Sequence, residues 1–306
     1  MSKLLLGTIV SSILIGLTSV SQAQISPGAT SPKSTTPTPT QPLNTPGATP
    51  PKSTIPTLTQ PSKASTSTTA DLTLLSKAVG VFWQSDRVET DSQMLIQGES
   101  QGVNISMSAQ IKTVAQIGNK FQTQLAFAPV GSTSKATYTI VSNGRDVWIY
   151  RPDRRQYTKT TFKAFSSGSN WLWTGVSSSL FLTISPADRQ EMLSALGTDR
   201  DVIKSLPPSQ FKDLIGSERQ VDGQNLYSYS YNFKDEGFIF DVLLQPQTAT
   251  VQRIEFTGKV DGMNIKISEN IVSRKPQVTI AKQTFEFVPP KGAKKVKTIE
   301  IEPFKS

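Results

Sequence analysis

The sequence predicts a mainly β protein with helices: a strongly curved antiparallel sheet of about ten strands, with an N-terminal helix and a mid-chain helical insertion. Apolar and polar residues alternate with a period of two through most of residues 94–271, as in half-buried strands. Short turn signals such as Asn143-Gly144 and Asp261-Gly262 join successive runs. Alternation stops between Phe165 and Ile215, where helix signals replace it, so we expect a helical insertion there.

A central hairpin is expected between Ala136 and Thr161. Two β-branched and aromatic runs flank Asn143-Gly144, a pair that tolerates the positive φ of tight hairpin turns. Alternation sends Val147 and Ile149 to one face and Trp148 and Tyr150 to the other. Both faces of this strand therefore need an apolar neighbour.

Helix signals occur before the sheet and within the interruption. Asp71 is a predicted N-cap for a helix with one apolar stripe, which should pack on the sheet. Ser185-Pro186 opens a second helix that Gly197 ends, and a short third helix is expected near Asp201 to Leu206. These helices supply the layer that covers the sheet.

The later strands contain two unusual patterns. One strand carries alternating Tyr227, Tyr229, Tyr231 and Phe233, which predicts an aromatic wall on one face. The second pattern, Phe285 to Pro290, predicts a last strand that is ended by proline. Asp241 lies inside an apolar strand, and we expect it to pair with Arg253 on the next strand, with catalysis as the less favoured alternative.

The chain divides into three parts. Residues 1–23 have the basic start, apolar stretch and small-residue cleavage pattern of a signal peptide, with a retained membrane anchor as the alternative. In residues 24–70, 30 of 47 positions are Pro, Ser or Thr, and a proline-rich motif at residue 26 recurs 19 residues later. This composition predicts a disordered tether, either a semi-rigid spacer or a linker without a binding role. Residues 71–306 form the expected β domain, exported to the periplasm or beyond.

Composition excludes several classes of function. The chain has no histidine and no cysteine, which removes Ser-His-Asp and thiol catalysis, imidazole metal sites and a disulfide framework. No glycine-rich phosphate loop is present, so we expect neither an enzyme nor a cofactor. The four lysines of residues 1–70 leave 28 basic against 23 acidic residues, and export argues against nucleic acid as a partner. Lysines 291, 294, 295 and 297 form either a weak membrane-facing cluster or a solvated tail.

Two motifs resemble a known family. Residues 143–152, NGRDVWIYRP, with QYTK at 156–159, are similar to the central hairpin of periplasmic lipoprotein carriers of the LolA type, and FEFVPPKGA at 285–293 is similar to their late strand. The resemblance covers residues 71 to about 297. It implies an unclosed barrel whose hydrophobic cavity binds acyl chains of lipoproteins or lipids, with a membrane protein as donor or acceptor and a monomer as the expected state. The tether departs from the carrier pattern, and the missing cysteine disfavours the membrane-anchored receptor branch.

The resemblance also directs the choice of site residues. The expected cavity wall comprises Phe121, Leu125, Phe127, Tyr138, Ile140, Trp148, Tyr150, Tyr227, Tyr229 and Tyr231. The expected lid residues are Trp171, Trp173, Leu180 and Phe181. Such carriers hold the lid with an arginine, for which Arg145, Arg151 and Arg253 are candidates by residue type only.

The sequence leaves three functional hypotheses open. The first is transport of acyl chains across the periplasm, and the second is a non-enzymatic envelope sensor or regulatory module on the same fold. A structural envelope protein ranks third. The sequence does not decide between an open interior, as a carrier needs, and an interior packed with its own side chains.

Overall fold

The computed structural model describes residues 68–100, 103–190, 213–234, 237–260 and 262–301. The predicted signal peptide, nearly all of the tether, the continuation of the second helix beyond residue 190 and the short third helix lie outside these residues. Within the described ranges, no helix is both long enough and apolar enough to cross a bilayer.

Strands dominate the described residues and belong to one sheet. Their bounds are β1 Thr68–Thr69, β2 Arg87–Ser100, β3 Val103–Gln116, β4 Lys120–Pro129, β5 Ala136–Asn143, β6 Asp146–Arg151, β7 Gln156–Thr161, β8 Leu214–Val221, β9 Gln224–Phe233, β10 Phe238–Gln245, β11 Thr250–Val260, β12 Met263–Pro276 and β13 Lys294–Lys295.

The order across the sheet is β1-β8-β9-β10-β11-β12-β2-β3-β4-β5-β6-β7-β13. Neighbours are antiparallel except β13, which pairs with β7 in parallel. Because β1 and β13 are not paired with each other, the curved sheet stays open, and the predicted fold class is confirmed. The long β12–β2 pairing joins the late strands to the early ones, from Asn264 opposite Glu99 to Pro276 opposite Val88. The sheet also includes Thr68 and Thr69, which precede the predicted domain boundary at Asp71.

The helix before the sheet forms as predicted. Helix α1 spans Leu72–Trp83, and the Asp71 carboxylate accepts hydrogen bonds from the Thr73 and Leu74 amides at 2.9 and 3.0 Å. This satisfies two of the free N–H groups at the helix start. Its buried stripe includes Ala78 and Phe82, which face the sheet.

The central hairpin also forms as predicted, with β5 and β6 joined through Gly144 at φ +99°. Asn143 accepts hydrogen bonds from the amides of Arg145 and Asp146, which fixes the turn. A Cβ added at Gly144 would lie 2.6 Å from the Gly118 carbonyl oxygen, so this position excludes larger residues.

The interruption of the strand pattern forms a compact helical insertion, which we call the lid, residues Phe162–Thr183. It contains α2 at Phe162–Ser166, a 3-10 helix at Ser169–Thr174 and α3 at Val176–Thr183. Residues 186–190 are again helical, and the Ser185 hydroxyl accepts from the Asp188 amide, as its predicted capping role requires. The predicted mid-chain lid is therefore present.

Two predictions about the later chain are wrong. Residues 286–290 do not form a strand; a 3-10 helix at Lys282–Phe285 precedes them, and the segment ends in two prolines. Asp241 does not pair with Arg253, because the register places Asp241 opposite Glu255 and Ser230. Arg253 instead contacts Glu255 at 2.7 Å, and burial raises the pKa of Asp241.

Candidate functional site

The lid covers one face of the sheet, which we call the inner face. Five of the predicted wall residues lie on it and are buried; they are Phe121, Leu125, Phe127, Tyr138 and Ile140. Their strands pair directly, with Leu125 opposite Tyr138, so alternation places their side chains on the same face. The four predicted lid residues are also buried in the same core.

Aromatic rings join the lid to the inner face. Trp173 stacks on Phe127 with ring centroids 5.5 Å apart, and Phe127 stacks on Tyr138 at 5.8 Å. Trp171 meets Phe121 edge-on at 6.2 Å. In this conformation the lid rings occupy the space over the wall rings, so the wall residues become accessible only if the lid moves.

Trp148 and Tyr150 do not belong to this wall, which corrects the sequence-based choice. Ile149 is opposite Ile140, and therefore Trp148 and Tyr150 point to the other face. There they pack with Tyr157 against Phe287, at ring distances of 5.6 to 6.2 Å. We call these four residues the outer aromatic cluster; it attaches the C-terminal segment to the sheet.

Tyr227, Tyr229 and Tyr231 also lie apart from the wall around Phe121. The Tyr229 hydroxyl donates to the carbonyl oxygen of Asp71, and the Tyr227 hydroxyl accepts from the Asp71 amide at 3.1 Å. Tyr227 and Tyr229 thus hold the start of α1, while Tyr231 packs on Phe233 at 4.5 Å. β9 and β4 lie six places apart in the sheet order, which explains the separation.

A buried carboxylate links β12 to the lid. Glu269 is fully buried, and its oxygens accept hydrogen bonds from the Ser177 amide at 2.7 Å and the Ser177 hydroxyl at 3.2 Å. Ser177 lies in the first turn of α3, where amide groups have no partner within the helix. Burial raises the pKa of Glu269, although hydrogen bonds from Ser92 and Ser177 act in the opposite direction.

The backbone at the start of α3 is shaped around this carboxylate. Gly175 has φ +86° and ψ 139°, a conformation that side-chain-bearing residues rarely adopt. A Cβ there would lie 2.8 Å from Glu269 Oε1. Nearby, the Thr113 hydroxyl of β3 donates to the Thr174 carbonyl oxygen at 2.8 Å. The lid is therefore attached by polar contacts at one end and by rings at the other.

Two arginines flank the lid residue Phe181. The guanidinium carbons of Arg189 and Arg274 both lie 5.5 Å from its ring centroid, and Arg274 lies 3.9 Å from the ring of Phe82. Cations over ring faces at such distances are attracted by the ring quadrupole. Arg189 also donates two hydrogen bonds to the Trp83 carbonyl oxygen, so it ties residues beyond the lid to α1.

The arginines chosen by residue type do not contact the lid rings in these ways. Arg145 is exposed and pairs with Asp146, and Arg253 pairs with Glu255. Arg151 pairs with Asp153 and lies 5.5 Å from the Tyr138 ring, at the margin of the wall. Arg189 and Arg274 hold positions at Phe181 that the sequence-based candidates do not.

Sequence reasoning missed Glu269, although a signal was present. Ile267, Glu269 and Ile271 alternate on one face, so a carboxylate within this apolar series indicated a buried charge. Arg274 had no such signal. β12 has a bulge between Ile271 and Ser273, and the extra residue turns Arg274 toward the inner face, opposite buried Thr90.

Two cavities open elsewhere on the described residues. One, of about 300 Å³, lies between the end of α1, the start of β11 and the end of β12. The other, of about 520 Å³, is a surface cleft lined by the amide side chains of Gln224, Asn225, Gln245, Gln247 and Gln252. Neither is lined by the predicted wall residues.

Comparison with known proteins gives likeness to solved structures only. No protein-family model and no curated protein matches the sequence. A LolA superfamily protein from Nitrosomonas europaea is 11% identical, covers 71% of this chain and 98% of its own, and has a TM-score of 0.27. A putative outer membrane lipoprotein-sorting protein domain from Vibrio parahaemolyticus is 11% identical, with 69% and 93% covered and a TM-score of 0.26.

An uncharacterized conserved protein from Thermus thermophilus is 12% identical, with 74% and 97% covered and a TM-score of 0.36. With TM-scores this low, the likeness carries no argument about function.

Proposed function

We propose that this protein is exported and shields acyl chains of lipids or lipoproteins on its inner face, beneath a lid that opens. The observation that carries the proposal is how the lid is attached. Rings, the Glu269 carboxylate and single hydrogen bonds hold it, and no ladder of paired strands does so among the described residues. Lid opening would expose Phe121 and Phe127 and leave the sheet intact.

The magnitudes suit such an exchange. Each methylene kept out of water is worth roughly 0.8 kcal/mol, so a sixteen-carbon chain carries about 12 kcal/mol of unfavourable exposure in water. An aromatic stack such as Trp173 on Phe127 contributes only about 0.5–1.5 kcal/mol beyond its buried area. Burial of one large apolar lid side chain is worth about 1.5–3 kcal/mol, so a bound chain would offset the exposure of about four to eight of them.

The proposal is tested by ligand uptake with a matched pair of tryptophan variants. Trp173→Ala removes a ring between the lid and the inner face, whereas Trp148→Ala removes one from the outer aromatic cluster. We expect binding of a fluorescent long-chain fatty acid by the wild type, with a changed affinity in Trp173→Ala and an unchanged one in Trp148→Ala. Absence of uptake, together with no lipid on protein purified from its own envelope, would refute the proposal.

A second candidate is a non-enzymatic sensor or regulatory module. The observation in its favour is that the lid rings already fill the space over the wall residues. A protein partner that binds the outside of the closed fold needs no cavity. Crosslinking in the envelope separates the two: a stable protein partner retained after delipidation favours the sensor, and transient adducts with lipoproteins favour the carrier.

Export and oligomeric state belong to the same proposal. If residues 1–23 are a cleaved signal peptide, N-terminal sequencing of the protein from its envelope begins at Gln24. A start at Met1 with membrane association would instead support the retained anchor. Sedimentation of the purified protein is expected to give a monomer, and a membrane-protein donor or acceptor would be found by crosslinking.

A further inference from the structure

The pocket of about 300 Å³ is lined by apolar side chains, several neutral polar ones and one cation. α1 contributes Val81 and Phe82, the end of β12 contributes Ile271, and the start of β11 contributes Val251. Gln84 and Val272 lie at its exposed edge, where Val272 retains 60% of its accessible surface. Of the described residues that line the pocket, Arg274 alone is charged.

Arg274 uses only part of its hydrogen-bonding capacity. Its Nη1 donates to the Thr90 hydroxyl at 3.0 Å, and its Nη2 lies 3.4 Å from the Phe82 carbonyl oxygen. A guanidinium has five N–H donors. Among the described residues, no carboxylate forms an ion pair with Arg274. The charge of Glu269 raises the pKa of Arg274, against the larger effect of burial, but from beyond ion-pair distance. Arg274 thus remains available to an anion.

The bulge in β12 gives this arrangement its geometry. Without the extra residue between Ile271 and Ser273, Arg274 would point away from the inner face, because side chains alternate along a strand. Bulges often re-aim a side chain beside a binding site. Here the result is a cation at the inner end of an apolar pocket, beside the ring of Phe82.

This combination selects a class of ligand. A planar carboxylate pairs with a guanidinium through parallel N–H···O bonds, while apolar walls favour a hydrocarbon tail. At roughly 30 Å³ per methylene-sized group, close to the volume share of a water molecule, the cavity holds about ten such groups. An amine of the same length would be repelled by Arg274.

We propose that this pocket is a second binding site, which takes a single-chain carboxylate of about eight to ten carbons, with its carboxylate on Arg274 and its tail along Phe82 and Ile271. The pocket is present while the lid is closed. Its occupation does not require the lid to open, so this proposal and the acyl-chain shielding proposed for the inner face can each fail alone.

The test is calorimetric titration of the folded chain with octanoate, decanoate, palmitate and decylamine. We expect decanoate to bind, decylamine not to bind, and palmitate to bind no more tightly than decanoate at this site. Arg274→Gln should weaken decanoate binding roughly tenfold to a hundredfold, as expected for the loss of a charge-assisted contact. Arg145→Gln, which removes an exposed arginine paired with Asp146 outside the pocket, is the matched control and should bind as the wild type does.

Two further measurements keep the result decisive. Val81→Trp fills the pocket from α1 and should abolish decanoate binding, which covers the case in which Arg274→Gln does not fold. The carboxyl carbon of labelled decanoate, followed by nuclear magnetic resonance, should titrate at lower pH when bound to the wild type. Equal affinity in wild type and Arg274→Gln, or decanoate binding lost in Trp173→Ala but kept in Val81→Trp, would overturn the proposal.

Discussion

Replacing Glu269 by alanine is the sharpest test of how the lid is held. The change leaves the Ser177 amide and hydroxyl without their acceptor in a buried environment. A buried donor without a partner costs about 1–3 kcal/mol, and the loss of the buried carboxylate leaves a cavity. The variant also no longer buries a carboxylate, which offsets part of this cost. We therefore expect a net loss of about 2–4 kcal/mol in the free energy of unfolding. Domains are typically stable by only about 5–15 kcal/mol in total, so this loss is measurable.

The assay combines urea unfolding with amide hydrogen exchange. Urea gives the free energy of unfolding, and exchange at Ser177 reports locally, because that amide donates to Glu269. Faster exchange at Ser177, with the amides of β3 unchanged, would show that the lid opens without unfolding of the sheet. This outcome is the one that the carrier proposal needs.

Glu269→Gln is the matched control. Its amide oxygen can accept from the Ser177 amide while its NH₂ group donates to the Ser177 hydroxyl, so both contacts survive. We expect its free energy of unfolding at neutral pH to be at least that of the wild type, because it keeps both contacts without burying a charge. If alanine proves as stable as glutamine, and Ser177 exchange is the same in both, Glu269 does not hold the lid.

Three other predictions follow from the same contacts. Burial raises the pKa of Glu269 above its usual 4.5, so its contribution to stability is present below pH 4.5 and is lost as pH rises through the folded-state pKa. The free energy of unfolding of the wild type, measured in urea, should therefore fall relative to that of Glu269→Gln as pH rises from 4.5 through that folded-state pKa. A difference that stays constant with pH would contradict this. Gly175→Ala should lower the free energy of unfolding by about 1–3 kcal/mol because of the backbone conformation alone. Gly168 has a negative φ and ordinary contacts, so Gly168→Ala should lower it less. Equal melting temperatures of the two variants would refute the argument. Phe287→Ala should cost about 2 kcal/mol by loosening the outer aromatic cluster, against little for exposed Val288→Ala, and near-ultraviolet circular dichroism should change only in the first.

Local geometry was predictable from the sequence because local patterns encode it. The Asn143-Gly144 turn, the Asp71 cap and the period-two strands depend on residues a few positions apart. The helical insertion was also visible, since the strand pattern stops at its start. These features determined the fold class and located the lid within the chain.

The composition of the wall was less predictable because it depends on partners distant in sequence. Alternation correctly placed Trp148 and Tyr150 on the face opposite to Val147, but only the β5–β6 register shows which of the two faces meets the lid. Likewise, nothing in the sequence indicated that β12 pairs with β2, a pairing that puts Tyr229 far from Phe121. Residue type alone could not separate the three clusters of aromatic residues.

The two site candidates on β12 differ in how they break the strand pattern. Glu269 follows the same alternation as the apolar residues of its face but carries a carboxylate, so careful inspection of the alternation could have found it. Arg274 is a residue type expected at the surface, but the bulge places it on the inner face, and a rule based on alternation does not detect a bulge. Departures of both kinds are expected where function, and not only folding, constrains a strand.

Their common strand also joins the lid to the pocket. Glu269 lies against the lid and Arg274 lines the pocket. Burial raises the pKa of Glu269 and lowers that of Arg274, and each charge opposes part of this effect by favouring the ionised form of the other. A carboxylate bound to Arg274 would offset the positive charge that Glu269 experiences and so favour its protonated form. Because such coupling is reciprocal, protonation of Glu269 must strengthen carboxylate binding at the pocket by the same factor by which the bound carboxylate strengthens proton binding at Glu269. The lid and the pocket are therefore two ends of one electrostatic system on β12.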